Sequence, residues 1–173
     1  MKAVQIKSYS KNINTILSNI PKPQISDSEV LIQVKAAAVN PVELLILTGK
    51  VKLIQNYPMP LTLGNECSGI VEQVGSKVKG FQKGDQVYTR LPINKIGAFA
   101  EYVAVEQDAI AKMPKGYDFN TAAAIPLTGL TAYQAIAEEL EATPGETLLI
   151  PGGSGSFGQM AVPIANLYAG ESL

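Results

Sequence analysis

At 173 residues, 46% of them apolar and with a mean hydropathy of +0.13, the chain can build one sizeable core, or a smaller core and part of a second. Its 14 Lys and Arg against 15 Asp and Glu leave a net charge of −1, so no electrostatic footprint for nucleic acid or anionic lipid is present, and neither nucleic acid nor a membrane is expected as a partner. With no His and a single cysteine, Cys67, the sequence excludes His general-base chemistry, Ser/His/Asp and Cys/His nucleophile arrangements, Cys/His zinc clusters and an internal disulfide.

The opening MKAVQIKSYS lacks the apolar stretch of a signal peptide, and no run approaches the roughly 18 apolar residues that span a bilayer, so a cytoplasmic location is expected. Up to about Pro114, short β-branched runs alternate with turn residues, the rhythm of an all-β barrel or sandwich. Met1–Ile6 reads as a strand. In Glu29–Val39 the residues Val30, Ile32 and Val34 fall on one face and Leu31, Gln33 and Lys35 on the other, as in a half-buried strand. Asn40-Pro41 closes that run, because proline lacks an amide donor and steers its predecessor away from helical angles; Val42–Leu47 then suits a short helix ended by Gly49. Further strands are expected at Cys67–Val74, Asp85–Thr89 and Ala98–Val105, each bounded by turn residues.

Beyond Pro114 the texture changes. Phe119–Ala124 and Leu127–Leu140 are rich in Ala, Leu and Glu with apolar residues three and four apart, which predicts helices. Thr143-Pro144-Gly145 breaks the pattern. The apolar run Glu146–Ile150 reads as a strand leading through PGGSGSFG into a helix over QMAVPIANLYA, with a kink expected at Pro163 and Gly170 ending it.

Gly153-Ser154-Gly155-Ser156-Phe157-Gly158 satisfies GxGxxG between that run and the helix. A phosphate at such a helix start meets free amides and the positive end of the helix dipole, and no Cβ obstructs it at Gly155. A triphosphate-binding loop needs GK followed by Ser or Thr, whereas Gly158 is followed by Gln159 and Met160. The nucleophile elbow GxSxG fails too, since Ser156 stands at the last glycine and no His is present to activate Ser154. Tyr88 and Tyr133 invite a proton-donor reading, since a phenol can protonate an enolate, but strand and helix packing is the favoured account of both. Glu66 and Asp85 are both acidic, but Asp85 is the turn residue of a GDxV phrase, and spacing defines no acid/base pair.

Several collinear phrases together resemble one family: AAAVNPVELLILTG (residues 36–49), PLTLGNECSGIVEQVG (60–75), FQKGDQVY (81–88), GAFAEYVAV (97–105), AAAIPLTGLTAYQAI (122–136) and PGETLLIPGGSGSFGQMAV (144–162). The chain resembles the medium-chain dehydrogenase/reductase superfamily, and within it the zinc-free quinone oxidoreductase branch related to zeta-crystallin. The resemblance implies a mainly β fold. A GroES-like, partly open β-barrel with a few helices, residues 1–120, would be followed over 121–173 by a helical connection and the first strand, glycine turn and first helix of an incomplete Rossmann domain.

Where alcohol dehydrogenases of the superfamily place a zinc-binding Cys this sequence has Asn40, and where they have GHE it has Gly64-Asn65-Glu66. The stretch between Val87 and Gly97 is short and free of Cys, without the four-Cys structural zinc loop. No zinc is therefore expected, and Cys67 reads as a small buried apolar residue. The resemblance implies hydride transfer from NADPH, with NADH left open, to a quinone or α,β-unsaturated carbonyl. Asn40 and Thr128 would line the nicotinamide end as hydrogen-bond partners. Bland readings stand beside these: a turn residue before Pro41, and a helix N-terminal Thr. Leu45 stands where relatives commonly carry an aromatic residue, leaving a less polar pocket wall. Gly152, Gly153, Ser154, Gly155, Phe157 and Gly158 would bind the cofactor.

The acidic or basic residue that reads the ribose is expected about 20 residues beyond the glycine turn, where this sequence stops. The 173 residues by themselves are thus expected to be inactive, and to self-associate through the incomplete cofactor domain. The alternatives are a non-catalytic GroES-like interaction module and a piece of a larger enoyl-reductase-type assembly.

Overall fold

Two nine-residue runs rich in β-branched residues, β3 (Glu29–Ala37) and β5 (Glu66–Val74), pair antiparallel. They are the central strands of a first unit, Met1–Ala124. The computed structural model describes residues 1–170, and a second unit begins at Ile125. The first unit also contains β1 (Lys2–Ile6), β2 (Ile16–Asn19), α1 (Pro41–Leu47), β4 (Leu61–Thr62), β6 (Gln86–Arg90), β7 (Tyr102–Glu106), β8 (Ile110–Lys112) and α2 (Phe119–Ala123). Its ladders are antiparallel and form two sheets, β2-β1-β4 and β7-β3-β5-β6-β8.

Residues 99–101 tie the sheets together. The Phe99 carbonyl accepts from the Val4 amide at 2.8 Å and the Glu101 carbonyl from the Val34 amide at 3.0 Å, curling the whole into a partly open barrel. This corrects one expectation, because β7 begins at Tyr102 and not at Ala98. The four residues before it spend their hydrogen bonds elsewhere: Ala98 N–H reaches the Gly64 carbonyl at 3.1 Å and Phe99 N–H the Leu63 carbonyl at 2.8 Å. β3 departs from simple alternation as well. With β5 on one edge and β7 on the other, residues Glu29 to Ile32 are buried on both faces, Leu31 included, and only the later half of the strand is half-buried.

Val30, Ile32, Cys67, Val71, Val87 and Val105 fill one core between these strands. Ile6, Ile46, Leu47, Tyr57, Leu61 and Leu63 fill another beneath α1. Asp118 caps α2 by accepting the Thr121 amide at 2.7 Å, which holds its carboxyl below the ordinary range. The Ser68 hydroxyl donates to the Phe119 carbonyl at 2.6 Å, so α2 belongs with β5 and the division of the chain falls after Ala124, where sequence reading had it after Asn120.

In the second unit α3 (Pro126–Tyr133) passes into a wider π-helical segment, Gln134–Glu139, with the Leu140 amide bonded to the Ala135 carbonyl at 3.0 Å, where the sequence predicts one uninterrupted α-helix. Helix α4 (Ser156–Ala169) runs through Pro163 and ends at Gly170, whose φ of 95° stops it as expected. Glu146–Ile150 is not a strand. A ladder requires a neighbour, and among the described residues this run has none. Its period of two survives in packing: Leu148 and Ile150 turn toward a small core of Ala132, Ile136, Ala161 and Ala165, while Leu149 is 90% exposed.

Candidate functional site

The start of α1 and the start of β5 are held together by buried polar side chains. Asn40, in extended conformation, precedes Pro41 at the first helical position, and Glu43 follows at the third, the spacing of a capping box. The Asn40 backbone N–H donates to Glu43 Oε2 at 2.6 Å. The other oxygen, Oε1, accepts the backbone N–H of Asn65 at 3.1 Å and its side-chain Nδ2–H at 2.7 Å. Asn40 Nδ2 in turn donates to Glu66 Oε1 at 2.7 Å. Glu43, Asn65 and Glu66 are 4%, 2% and 0% exposed, so these bonds form away from water, where an unmade one is costly.

Gly64 makes the approach possible. Its φ is 102°, and a Cβ there would lie 2.6 Å from the Phe99 amide nitrogen. Only glycine fits, and the chain leaves it with the Asn65 side chain aimed at Glu43. The network orients the Asn40 amide, because a carboxyl oxygen of Glu66 faces the NH₂ end. Glu66 also pairs in register with Arg90 on β6.

Cys67 follows at once but takes no chemical part. It is fully buried, and burial, followed by the charge of Glu66, pushes its thiol up to about 12. Among the described residues no group of three or more His, Cys, Asp or Glu is placed to hold a metal ion. Leu45 lies on the outer side of α1, 39% exposed. Tyr88 is half-buried on β6, opposite Ser68 and Ala111. Asp85 accepts the Gln82 amide at 3.0 Å and pairs with Lys112 at 3.2 Å, as a turn residue does.

In the second unit Thr128 is buried in the first turn of α3. Tyr133 meets Tyr168 edge to face with ring centroids 6.2 Å apart, a packing contact. The glycine turn closes through the Gly155 amide on the Gly152 carbonyl at 2.8 Å, and Gly155 is the residue from which α4 starts. A Cβ on Gly158 would come within 2.3 Å of Gly153 Cα, so the helix touches the turn backbone to backbone. Gln159 Nε2 donates to the Ser154 carbonyl at 3.0 Å, while Ser154 and Phe157 stay exposed at the helix start. Amides of the first helical turn lack partners within the helix and no side chain stands at Gly155, so this turn is the place among the described residues where a phosphate could be held. The structure thus joins Asn40 to Glu66 and gathers residues 152–158. Sequence reading missed Glu43, although the N-x-x-E spacing of Asn40 and Glu43 was the available signal, and it named Asn65 only as the residue at the middle of the GHE position, without its bonds to Glu43.

Residues 26–115 match the alcohol dehydrogenase GroES-like domain. The chain belongs to this family. A 2-methylene-furan-3-one reductase of Solanum lycopersicum is 36% identical over 179 residues, covering 99% of this chain and 46% of the relative. The chloroplastic NADPH-dependent alkenal/one oxidoreductase of Arabidopsis thaliana is 37% identical over 161 residues, 90% of this chain and 41% of its own length. Among solved structures, the Escherichia coli quinone oxidoreductase complexed with NADPH superposes with a TM-score of 0.80 at 26% identity, covering 93% of this chain and 48% of that one. The homologues of this GroES-like chain are thus quinone and alkenal/one oxidoreductases of the medium-chain dehydrogenase/reductase superfamily. The chain spans about half the length of the curated relatives it matches.

Proposed function

We propose that these residues form the acceptor-binding part and the first cofactor-binding element of a zinc-free, NADPH-dependent reductase of quinones or α,β-unsaturated carbonyls. The observation that carries this reading is Asn40, held by Glu66 and Glu43 where zinc-dependent members of the superfamily carry a metal-binding cysteine. Two matched relatives whose names state reduction of an enone or dependence on NADPH, and a third solved with NADPH, point the same way.

When bound, NADPH supplies a hydride to the acceptor. This chain's residues would bind and orient. Asn40 offers an amide and Thr128 a hydroxyl to the nicotinamide carboxamide or the acceptor oxygen, Leu45 supplies an apolar wall, and the backbone at Gly152, Gly153, Ser154, Gly155, Phe157 and Gly158 holds the pyrophosphate. A cytoplasmic location belongs to the same proposal; among the described residues no helix is long and apolar enough to cross a membrane. So does self-association through the second unit, where Leu149 and Leu167 are 90% and 82% exposed; sedimentation of a clean monomer at tens of micromolar would count against it.

The test is an amide NMR titration of the 173-residue chain with NADPH, with NADH alongside, and separately with a quinone and an enone. Shifts at residues 152–158 with NADPH, and at Asn40 and Leu45 with the acceptor, are expected, with no NADPH turnover. Acceptor shifts that avoid Asn40 and Leu45, or none, would favour a GroES-like interaction module. Measurable turnover would remove the statement that the chain alone is inactive.

A further inference from the structure

A net charge of −1 averages over a distribution that is one-sided in one place. Residues 1–26 contain Lys2, Lys7, Lys11 and Lys22 and no Asp or Glu; residues 44–65 contain Lys50 and Lys52 and again no acid. The fold staples these two segments to each other. Tyr9 Oη accepts the Tyr57 amide at 2.8 Å and donates to Asn56 Oδ1 at 3.2 Å, and the Ser10 amide donates to the Leu47 carbonyl at 3.1 Å. The Tyr9 ring lies against Gly49, and Lys52 Nζ stands 5.6 Å from the ring centroid.

Lys7 and Lys11 thus flank the Tyr9 and Ser10 that bind the segment carrying Lys50 and Lys52. All four are exposed, and none is in an ion pair among the described residues. The same two segments also expose large apolar side chains: Leu53 fully, Ile54 at 82% and Ile13 at 70%. Leu53 and Ile54 are not the end of a loose chain. Tyr9 and Val51 pack on the core of Ile46, Leu47 and Tyr57, and the Ile54 amide donates back to the Val51 carbonyl at 2.9 Å, so a packed base holds the apolar tip outward. Adjacent exposed aliphatic side chains, flanked by unpaired lysines and without an acid in either segment, carry the chemistry of an interfacial anchor.

We propose that this surface docks the protein on an anionic lipid bilayer, with Leu53 and Ile54 entering the boundary between headgroups and acyl chains and Lys7, Lys11, Lys50 and Lys52 facing the headgroup charges. A bilayer takes up both the lysine charge and the two adjacent aliphatic side chains, and it is the occupant to which the proposal commits. The proposal is independent of the reductase reading.

Co-sedimentation of the 173-residue chain with vesicles tests it, using phosphatidylcholine alone and phosphatidylcholine mixed with phosphatidylglycerol. Binding to the mixed vesicles is expected, falling with added salt and absent from the neutral ones. Lys50→Gln and Lys52→Gln should each weaken it about fivefold. The double variant Leu53→Ser/Ile54→Ser should weaken it while leaving its salt dependence unchanged. All these positions are exposed, and circular dichroism checks that the fold is kept. No binding to the mixed vesicles, or equal binding to both kinds, overturns the proposal. Binding to the mixed vesicles that follows the lysines yet ignores the Leu53/Ile54 variant also overturns the proposal, because Leu53 and Ile54 then do not enter the bilayer.

Discussion

Glu43 Oε1 accepts from both nitrogens of Asn65, the backbone N–H at 3.1 Å and a side-chain Nδ2–H at 2.7 Å. One buried carboxyl, supplied by the first turn of α1, thus sets the position of the residue just before β5, while its second oxygen fixes the start of its own helix through Asn40 at 2.6 Å. The consequence reaches Asn40, whose amide is presented to Glu66 from a backbone pinned on both sides.

Glu43→Ala leaves three N–H groups without their acceptor, the two of Asn65 buried and that of Asn40 part-buried, and should cost about 3 kcal/mol in urea unfolding. Glu43→Gln is the sharper variant. It keeps the shape but must turn an NH₂ toward at least one N–H donor, so it should recover only part of the loss. A Gln variant as stable as the parent would show that these bonds do not hold the two elements together.

Gly158→Ala reverses the usual helix preference. In a helix interior Ala normally gains about 0.5–1 kcal/mol over Gly, but here the new Cβ would meet Gly153 Cα at 2.3 Å, and backbone on both sides must move apart. Destabilisation of about 2 kcal/mol is expected. Gly129→Ala in α3 is the control, since its nearest neighbour would be Ile125 Cγ2 at 3.4 Å and the ordinary gain should appear. Thermal melts of the two variants, with hydrogen exchange in the first turn of α4, make the comparison.

These two sites also show which features local sequence carries. Asn40-Pro41 announces α1, the run from Cys67 to Val74 announces β5, and the glycines between residues 152 and 158 announce a turn before a helix, because each depends on neighbours within a few positions. The bonds between Glu43 and Asn65 span 22 residues, and β2 exists only because Asn19 finds Lys2 across the sheet. Neither pairing has a local signature. Glu146–Ile150 shows the converse: its composition is that of a strand, but strand is a property of a ladder, and the run lacks a partner among the described residues. Gln134–Glu139 has an ordinary helical sequence, and its π geometry follows from bonds such as that of Leu140 to Ala135, which composition does not encode.

The thiol of Cys67 should be chemically silent in the native protein. With burial and the neighbouring Glu66 charge raising its pKa to about 12, almost no thiolate exists at pH 8. A disulfide reagent such as dithionitrobenzoate should leave the folded chain unlabelled over the time in which a free thiol reacts fully, and should modify one thiol per chain in urea. Rapid labelling of the folded form would mean that β5 opens readily at its first residues.

The last prediction concerns the pH dependence of stability through Glu29, at the head of β3. Burial pushes its carboxyl up, but the Lys95 ammonium and the Ser26 amide, which donates to it at 2.9 Å, outweigh burial and hold it below its ordinary value. A carboxyl lowered in the folded state adds stability above its unfolded value, and that contribution is lost as pH falls through the folded one. Lys95→Met should therefore cost about 1 kcal/mol at pH 7, modest because the lysine side chain is 53% exposed. The difference between parent and variant should narrow as the pH drops below about 4.5 and Glu29 takes up a proton. Urea midpoints for both proteins from pH 7 to pH 3 check this. A gap that stays constant over that range would mean that Lys95 acts through packing and not through the charge of Glu29.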